Sequence, residues 1–166
     1  MSLEPLSLHH ARAMLLWLKD PIVADGLGLT RKPSIKYTLE WIDRSISDSS
    51  IDAFAVLFNG SHVGNVILDQ IDHTEGTARF SIYLGERASR GMGIGRRATS
   101  MIVEHAFGDL RLRRVWLHVH TDNAAAIRTY LACGFTVQTV LGGGLLIRGE
   151  PADAFLMTLE SAAPVQ

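Results

Sequence analysis

The chain has 166 residues, of which 47% are hydrophobic and 20% are charged, a composition typical of one water-soluble globular domain over residues 1–166. Its formal net charge of −1 provides no overall positive field for nucleic acid or an anionic membrane surface. The single cysteine, Cys133, excludes an intrachain disulfide and favours a cytoplasmic location. No early apolar run is long enough for export or membrane insertion. We therefore expect no nucleic-acid or membrane partner.

The first half of the chain predicts two helices followed by an antiparallel meander. Apolar residues at helical spacing predict helices over 8–18 and 35–46, with a Pro- and Gly-containing loop over 21–33. On the second helix we expect Tyr37, Trp41 and Ile42 to pack inward. The predicted strands are residues 3–6, 53–58, 62–71 and 77–84, and Asn59-Gly60 predicts a hairpin turn between the second and third of them.

The second half predicts alternating helices and strands. The predicted helices are 95–107 and 123–132, and the predicted strands are 113–120, 134–141 and 154–159. Three consecutive glycines, residues 142–144, predict a turn or a mobile loop. The mixed order of elements indicates an α/β (α+β) domain rather than an all-parallel sheet.

A glycine-rich segment joins the last meander strand to the next helix. Its sequence is Arg90-Gly91-Met92-Gly93-Ile94-Gly95-Arg96-Arg97. Glycine lets the backbone approach a ligand closely, and the first turn of a helix offers unpaired N–H groups and a positive dipole end. The segment therefore predicts a site for phosphate or pyrophosphate.

Three interpretations of these glycines are open. One is a structural turn with solvated arginines. Another is a dinucleotide site, because residues 93–98 fit G-x-G-x-x-A. Such a site normally follows the first strand of a βαβ series, with an acidic residue about 20 positions on. Here a meander precedes the glycines and position 118 is His. A P-loop is excluded, because no Gly-Lys-Ser/Thr follows the glycines.

The third interpretation is a resemblance to the GNAT superfamily of N-acetyltransferases. Residues 90–95 resemble the family's R/Q-x-x-G-x-G/A segment, whose backbone amides hold the pyrophosphate of acetyl-CoA. Residues 123–135 resemble the family's N-x-x-A-x-x-x-Y-x-x-x-G-F helix and turn, in the right order. The resemblance extends over nearly the whole chain. Within the superfamily, the chain looks most like the acetyltransferases of ribosomal-protein N-termini, and bacterial amino-sugar acetyltransferases are similarly close.

This resemblance implies a fold, a co-substrate and a set of site residues. The fold would be a mixed, mostly antiparallel sheet of about six to seven strands flanked by about four helices. Acetyl-CoA would pair its pantetheine arm with the backbone of Ile82, Tyr83 and Leu84. The pyrophosphate would contact the glycine loop: Arg90, Gly91, Met92, Gly93, Ile94, Gly95 and Arg96. Asn123 and Ala126 would also contact the cofactor. Tyr130 would protonate the leaving thiolate, with a buried core tyrosine as the alternative.

The sequence leaves open which residue acts as the general base. In peptide N-terminal acetyltransferases of this superfamily a Glu often lies five residues before the Asn, and here that position is His118. Histidine titrates at about pH 6.5, so His118 is either the base or a structural histidine. His118 and His120 face one side, but no acidic or cysteine cluster completes a metal site, so we expect no metal. Arg79 stands where related subgroups carry Glu; it could hold an acidic substrate group or lie on the surface.

The acceptor is expected between residues 8–46, the end of the fourth strand and a hairpin at 141–148. Candidate polar contacts, with charged surface as the alternative, are Asp25, Arg31, Lys32, Asp43 and Glu150. The sequence has no dense acidic run of the kind that would indicate a polyamine pocket. The leading function is acetyl transfer from acetyl-CoA to a peptide or small-molecule primary amine by direct attack in a ternary complex. The alternatives are an amino-sugar or nucleotide-amino-sugar acetyltransferase and a non-catalytic acyl-CoA sensor. We expect a monomer or homodimer.

Overall fold

The computed structural model describes residues 1–27, 29–85 and 91–162. Within these residues, seven strands form one sheet. The strands are β1 (Ser2–Pro5), β2 (Asp52–Phe58), β3 (Ser61–Asp72), β4 (Thr77–Leu84), β5 (Arg114–His120), β6 (Thr136–Ile147) and β7 (Glu150–Glu160). The α-helices are α1 (Ala11–Leu18), α2 (Pro21–Gly26), α3 (Ile35–Ser47), α4 (Ile94–Gly108) and α5 (Ala124–Ala132). A 3-10 turn, Leu8–His10, precedes α1.

The strand order in the sheet is β1-β2-β3-β4-β5-β7-β6. Neighbouring strands are antiparallel except for β4 and β5, which run parallel. The prediction of a mixed, mostly antiparallel sheet is therefore confirmed. Five α-helices surround it among the described residues, because the expected loop over 21–33 contains α2. The side chain of Asp20 caps α2 by accepting a hydrogen bond from the Ile22 N–H at 3.0 Å, and Pro21 occupies its first turn.

Helices cover both faces of the sheet. On one face, Met14 and Trp17 of α1 and Ile42 of α3 pack with Ala55 and Ile67. On the other face, α4 and α5 pack against a larger core, in which the buried residues include Val66, Leu68, Phe80, Ala98, Ile102 and Tyr130. The alternation of side chains along each strand supplies both cores. A residue of β4 therefore faces either the α1–α3 side or the α4–α5 side.

The prediction of a turn or mobile loop at residues 142–144 is wrong, because these glycines lie inside β6. The pairing of β6 with β7 shifts register between Leu141 and Leu145, which indicates a bulge. Gly143 takes a φ of +65° there, and its N–H donates to Asp153 Oδ1 at 3.0 Å. The hairpin turns instead at residues 148–149, both of which have positive φ. In the described part of the chain, no helix is long and apolar enough to cross a membrane.

Candidate active site

Strands β4 and β5 separate part of the way along the sheet. Their parallel ladder covers residues 77–79 of β4 and residues 114–116 of β5. Beyond it, β5 pairs with β7 and β4 pairs with β3, so within the described residues the 80–83 segment has no ladder to β5. Two predicted cofactor contacts, Ile82 and Tyr83, lie in this segment, and Leu84 ends the strand. The separation leaves a gap in the sheet bordered by strand backbone.

The glycine loop meets the sheet beside this gap. Gly91 and Gly93 have φ of +79° and +75°, the left-handed region that favours glycine. Gly93 is the N-cap of α4. Gly95 lies in the first turn of α4, next to the end of β4: a Cβ added to Gly95 would lie 3.8 Å from the side chain of Leu84. Gly91, Met92, Gly93 and Arg96 are exposed, while the side chain of Ile94 is buried. Arg90 lies outside the described residues.

Asn123 has a structural role at the start of α5. Its side-chain Oδ1 accepts the Ala126 N–H at 3.2 Å and so caps the helix. The Ala126 N–H is thereby engaged, which leaves the side-chain NH₂ of Asn123 as the group able to donate to a cofactor. Both residues stay predictions as cofactor contacts.

Tyr130 lies on α5, behind Phe80 of β4. Its ring packs edge-on against Phe80 at 6.1 Å between centroids, and it is 8% exposed. Burial, assisted by Cys133, raises the pKa of Tyr130 well above its ordinary value. Among the described residues none forms a hydrogen bond with its hydroxyl. Tyr130 therefore carries its proton at neutral pH and has a hydroxyl available to donate.

His118 lies on β5 just past the end of the β4–β5 ladder. It is half-buried on the face opposite Leu117 and Val119, which are buried in the α4–α5 core. Burial and then the positive charge of Arg79 lower the pKa of His118 below its ordinary value. The neutral imidazole, which is the form that accepts a proton, is thus favoured at neutral pH.

A cavity of about 520 Å³ lies on the α1–α3 face of the sheet, a size suited to a small molecule. Strands β3 and β4 form its floor through Ile67, Asp69, Arg79, Ser81 and Tyr83. Its walls come from α1, α3 and the segment between α2 and α3, and include Met14, Leu18, Leu27, Leu29, Tyr37 and Trp41. The expectation that Tyr37 packs inward is wrong, because its side chain is 48% exposed and lines this cavity.

Arg79 on the cavity floor is held by an acidic neighbour. Its Nε and Nη2 atoms donate to the two carboxylate oxygens of Asp69 at 2.7 and 2.6 Å. These hydrogen bonds raise the pKa of Arg79, against the effect of burial. Arg79 is therefore part of a bidentate ion pair in the cavity floor, and its role in holding an acidic group of the substrate stays a prediction.

A buried polar network that sequence reasoning missed supports Tyr83. Asn65 is fully buried; its Nδ2 donates to Tyr83 Oη at 2.5 Å, and its Oδ1 accepts from His62 Nε2 at 2.8 Å. Burial raises the pKa of Tyr83 well above its ordinary value. Because Tyr83 Oη accepts from Asn65, its own hydrogen is left for donation to another group. The one sequence signal was an amide in the middle of an apolar strand.

Comparison with known proteins identifies the class. A family model for the acetyltransferase (GNAT) domain matches residues 1–136. The spermidine N(1)-acetyltransferase of Escherichia coli (strain K12) is 31% identical over 151 residues, which are 91% of this chain and 75% of that protein. The L-amino acid N-acetyltransferase AaaT of the same strain is 28% identical over 119 residues, 70% of this chain and 73% of that protein. The chain belongs to the GNAT acetyltransferase family.

The fold agrees with this membership. A crystal structure of spermidine N-acetyltransferase from Vibrio cholerae, in complex with CoA and spermine, matches with a TM-score of 0.89 at 22% identity. The match covers 96% of this chain and 94% of that chain. The protein is an acetyl-CoA-dependent N-acetyltransferase that acts on amines. The expected special likeness to acetyltransferases of ribosomal-protein N-termini is not supported, because these relatives are polyamine and amino-acid acetyltransferases.

Proposed function

We propose that the protein transfers the acetyl group of acetyl-CoA to the primary amine of a small molecule bound in the cavity between α1, α3 and β4. The cofactor lies in the gap between β4 and β5. Its pantetheine arm follows the 80–84 segment, and its pyrophosphate binds at the start of α4. The amine attacks the thioester directly, in a ternary complex.

One observation carries this proposal: the β4–β5 ladder ends at Arg79 and Trp116, and the glycine-rich start of α4 lies beside the end of β4. Strand backbone without a ladder partner suits an extended arm with amide groups, which it binds as an added strand. Free N–H groups and the positive end of a 15-residue helix suit a pyrophosphate. The two features are adjacent, as one ligand with both parts requires.

The chemistry assigned to the gap needs a base and an acid. The amine must lose a proton before or during attack, and His118, kept neutral by its lowered pKa, is our candidate base. The thiolate must gain a proton as it leaves, and Tyr130 is our candidate acid because its pKa is raised. Holding both reactants in line contributes up to roughly 7–11 kcal/mol to lowering the barrier.

A small-molecule acceptor is favoured over a protein N-terminus. The cavity is bounded by helices on two sides, and the β6–β7 hairpin is joined to α2 by an ion pair, Arg148 Nε to Asp25 Oδ2, at 3.0 Å. The relatives are named for spermidine and for L-amino acids. The solved structures of the Vibrio cholerae enzyme include a dodecamer, and the monomer or homodimer expected for this chain stays a prediction.

Two glycine variants test the cofactor site. Gly93→Ala forces a left-handed alanine into the start of α4, whereas Gly60→Ala forces one into the β2–β3 turn. The two glycines have φ of +75° and +78°, and neither has an atom within 4 Å of an added Cβ. The backbone strain is therefore matched. We expect Gly93→Ala to weaken CoA binding by at least about tenfold, the equivalent of about 1.4 kcal/mol, and Gly60→Ala to leave it unchanged in calorimetric titration.

Equal CoA affinity in both variants and in the wild type would remove the start of α4 from the cofactor site. Equal weakening in both would assign the effect to general destabilisation, and would equally count against the proposal.

A further inference from the structure

We infer that the acceptor is an amine that also carries an anionic group, such as a carboxylate or a phosphate, and that Arg31, Lys32 and Arg44 recognise that group. This inference rests on the proposed function, because it concerns the same cavity. It goes further by assigning the charge of the substrate, which differs from the polycation named for the spermidine-acetylating relatives.

The ionisable side chains of the cavity carry an excess of positive charge. Among the described residues, four basic ones line it, Arg31, Lys32, Arg44 and Arg79, against two acidic ones, Glu40 and Asp69. The imbalance is local, because the chain as a whole has a net charge of −1. A cavity lined mostly by one sign of charge attracts ligands of the opposite sign.

Both acidic residues are already paired with cations. Asp69 is engaged on both oxygens by Arg79. Glu40 Oε1 lies 3.8 Å from Nζ of Lys36, which is one turn earlier on α3. A cationic acceptor would have to compete with these pairs for either carboxylate. The lining therefore offers little free negative charge to a polyamine.

Among the described residues, the three remaining cations have no carboxylate within ion-pair distance, although Arg44 interacts electrostatically with the Asp48 carboxylate, four residues further along the chain. The guanidinium of Arg31 lies over the ring of Tyr37, with 5.8 Å between its Cζ and the ring centroid. This contact places one cation on the cavity wall. An entering polycation would meet like charges there, and such contacts are unfavourable.

Hydrogen-bond donors on the floor point to the same class of ligand. Tyr83 lines the cavity, and its hydroxyl keeps its own hydrogen for donation because the oxygen accepts from Asn65 Nδ2. Arg79 uses Nε and Nη2 on Asp69, which leaves its Nη1 hydrogens available. Carboxylates and phosphates accept such hydrogen bonds. The lining also contains apolar side chains, with Leu29, Trp41 and Met14 among them, which suit an acceptor that has an apolar portion.

The test compares acceptors that differ in charge. Initial rates of thiol release are measured with leucine and leucinamide, with O-phosphoethanolamine and ethanolamine, and with spermidine. The enzymes are the wild type, the double variant Arg31→Glu/Lys32→Glu, and the controls Arg12→Glu and Arg12→Glu/Lys19→Glu. Arg12 and Lys19 are not among the residues that line the cavity. The double control changes the net charge by the same amount as the Arg31→Glu/Lys32→Glu variant. The single control shows the effect of one charge reversal outside the cavity.

We expect the wild type to use one of the anionic amines, and the Arg31/Lys32 variant to lower the kcat/KM ratio of anionic to neutral partner at least tenfold. The same variant should improve kcat/KM for spermidine, while both controls leave the ratios unchanged. Comparing this ratio between the variant and the wild type cancels differences in amine basicity between the partners of a pair. The leucine and phosphoethanolamine pairs separate a carboxylate from a phosphate as the recognised group.

An unchanged ratio in the Arg31/Lys32 variant, together with acetylation of spermidine by the wild type, would overturn this inference and leave the proposed function intact. If no amine supports thiol release, the proposed function fails and the inference fails with it.

Discussion

At the scale of single residues, the proposed chemistry depends most on Tyr130. We expect Tyr130→Phe to lower kcat about a hundredfold, the typical contribution of a positioned acid. The ring keeps its packing on Phe80 and Phe135, so CoA affinity and thermal stability should change little. The measurement is steady-state kinetics alongside calorimetric titration of CoA. An unchanged kcat would make Tyr130 a core residue only.

His118 is tested by the pH dependence of the rate. Its neutral form is the proton acceptor, so kcat/KM should fall as the pH drops through the pKa of His118. Burial and Arg79 hold that pKa below the ordinary 6.5, so the wild type should keep its activity to a pH more acidic than that value. His118→Ala should lose this ionisation and about a hundredfold in rate.

The control is His120→Ala, two residues along the same face of β5, whose Nδ1 accepts from the Asp122 N–H at 3.4 Å. Its profile should match that of the wild type. A His118→Ala profile of unchanged shape would assign the base to another group or to water.

Residue roles were only partly predictable from sequence. Tyr130 and His118 could be singled out because each lies at a fixed offset within a motif. The position of Tyr37 could not, because helical periodicity shows which residues share a face and not whether a cavity interrupts that face. The partners of Arg79 and Tyr83, namely Asp69 and Asn65, depend on strand register, which local sequence does not fix.

At the scale of elements, the packing of α1 on the end of β4 depends on Gly85. An added Cβ at Gly85 would overlap the indole ring of Trp17, which is 5% exposed. We expect Gly85→Ala to lower the free energy of unfolding by about 1–3 kcal/mol, the usual cost of overpacking. The measurement is urea denaturation.

The matched control is Gly108→Ala at the end of α4, where an added Cβ meets no atom within 4 Å. Its free energy of unfolding should stay within about 0.5 kcal/mol of the wild type. Equal stability of Gly85→Ala and Gly108→Ala would show that Trp17 does not rest on Gly85.

Most elements were predictable because periodicity and turn chemistry agreed. The 77–84 strand matches its prediction to the residue, and the helix predicted over 95–107 matches α4 within one residue at each end. The glycines at 142–144 led to a wrong prediction because a β-bulge and a turn can both be rich in glycine. What decides between them is the long ladder between β6 and β7, a tertiary contact that composition does not reveal.

At the scale of the whole molecule, the fold and the donor were predictable, and the acceptor was not. The glycine loop and the 123–135 segment pointed to acetyl-CoA, and the family match confirms that class. The acceptor cavity gathers side chains from α1, α3, β3 and β4, which are far apart in sequence. Its charge balance therefore becomes visible only once the chain is folded.

The central claim, acetyl transfer from acetyl-CoA to a small amine, is tested most directly by following thiol release together with the mass of the acceptor. The full chain is incubated with acetyl-CoA and each amine of the panel. We predict thiol release that depends on the amine and an equal amount of N-acetylated amine, 42 Da heavier than the acceptor, a mass fixed by replacing hydrogen with an acetyl group. Tight binding of acetyl-CoA without amine-dependent release, across the whole panel, would contradict the claim.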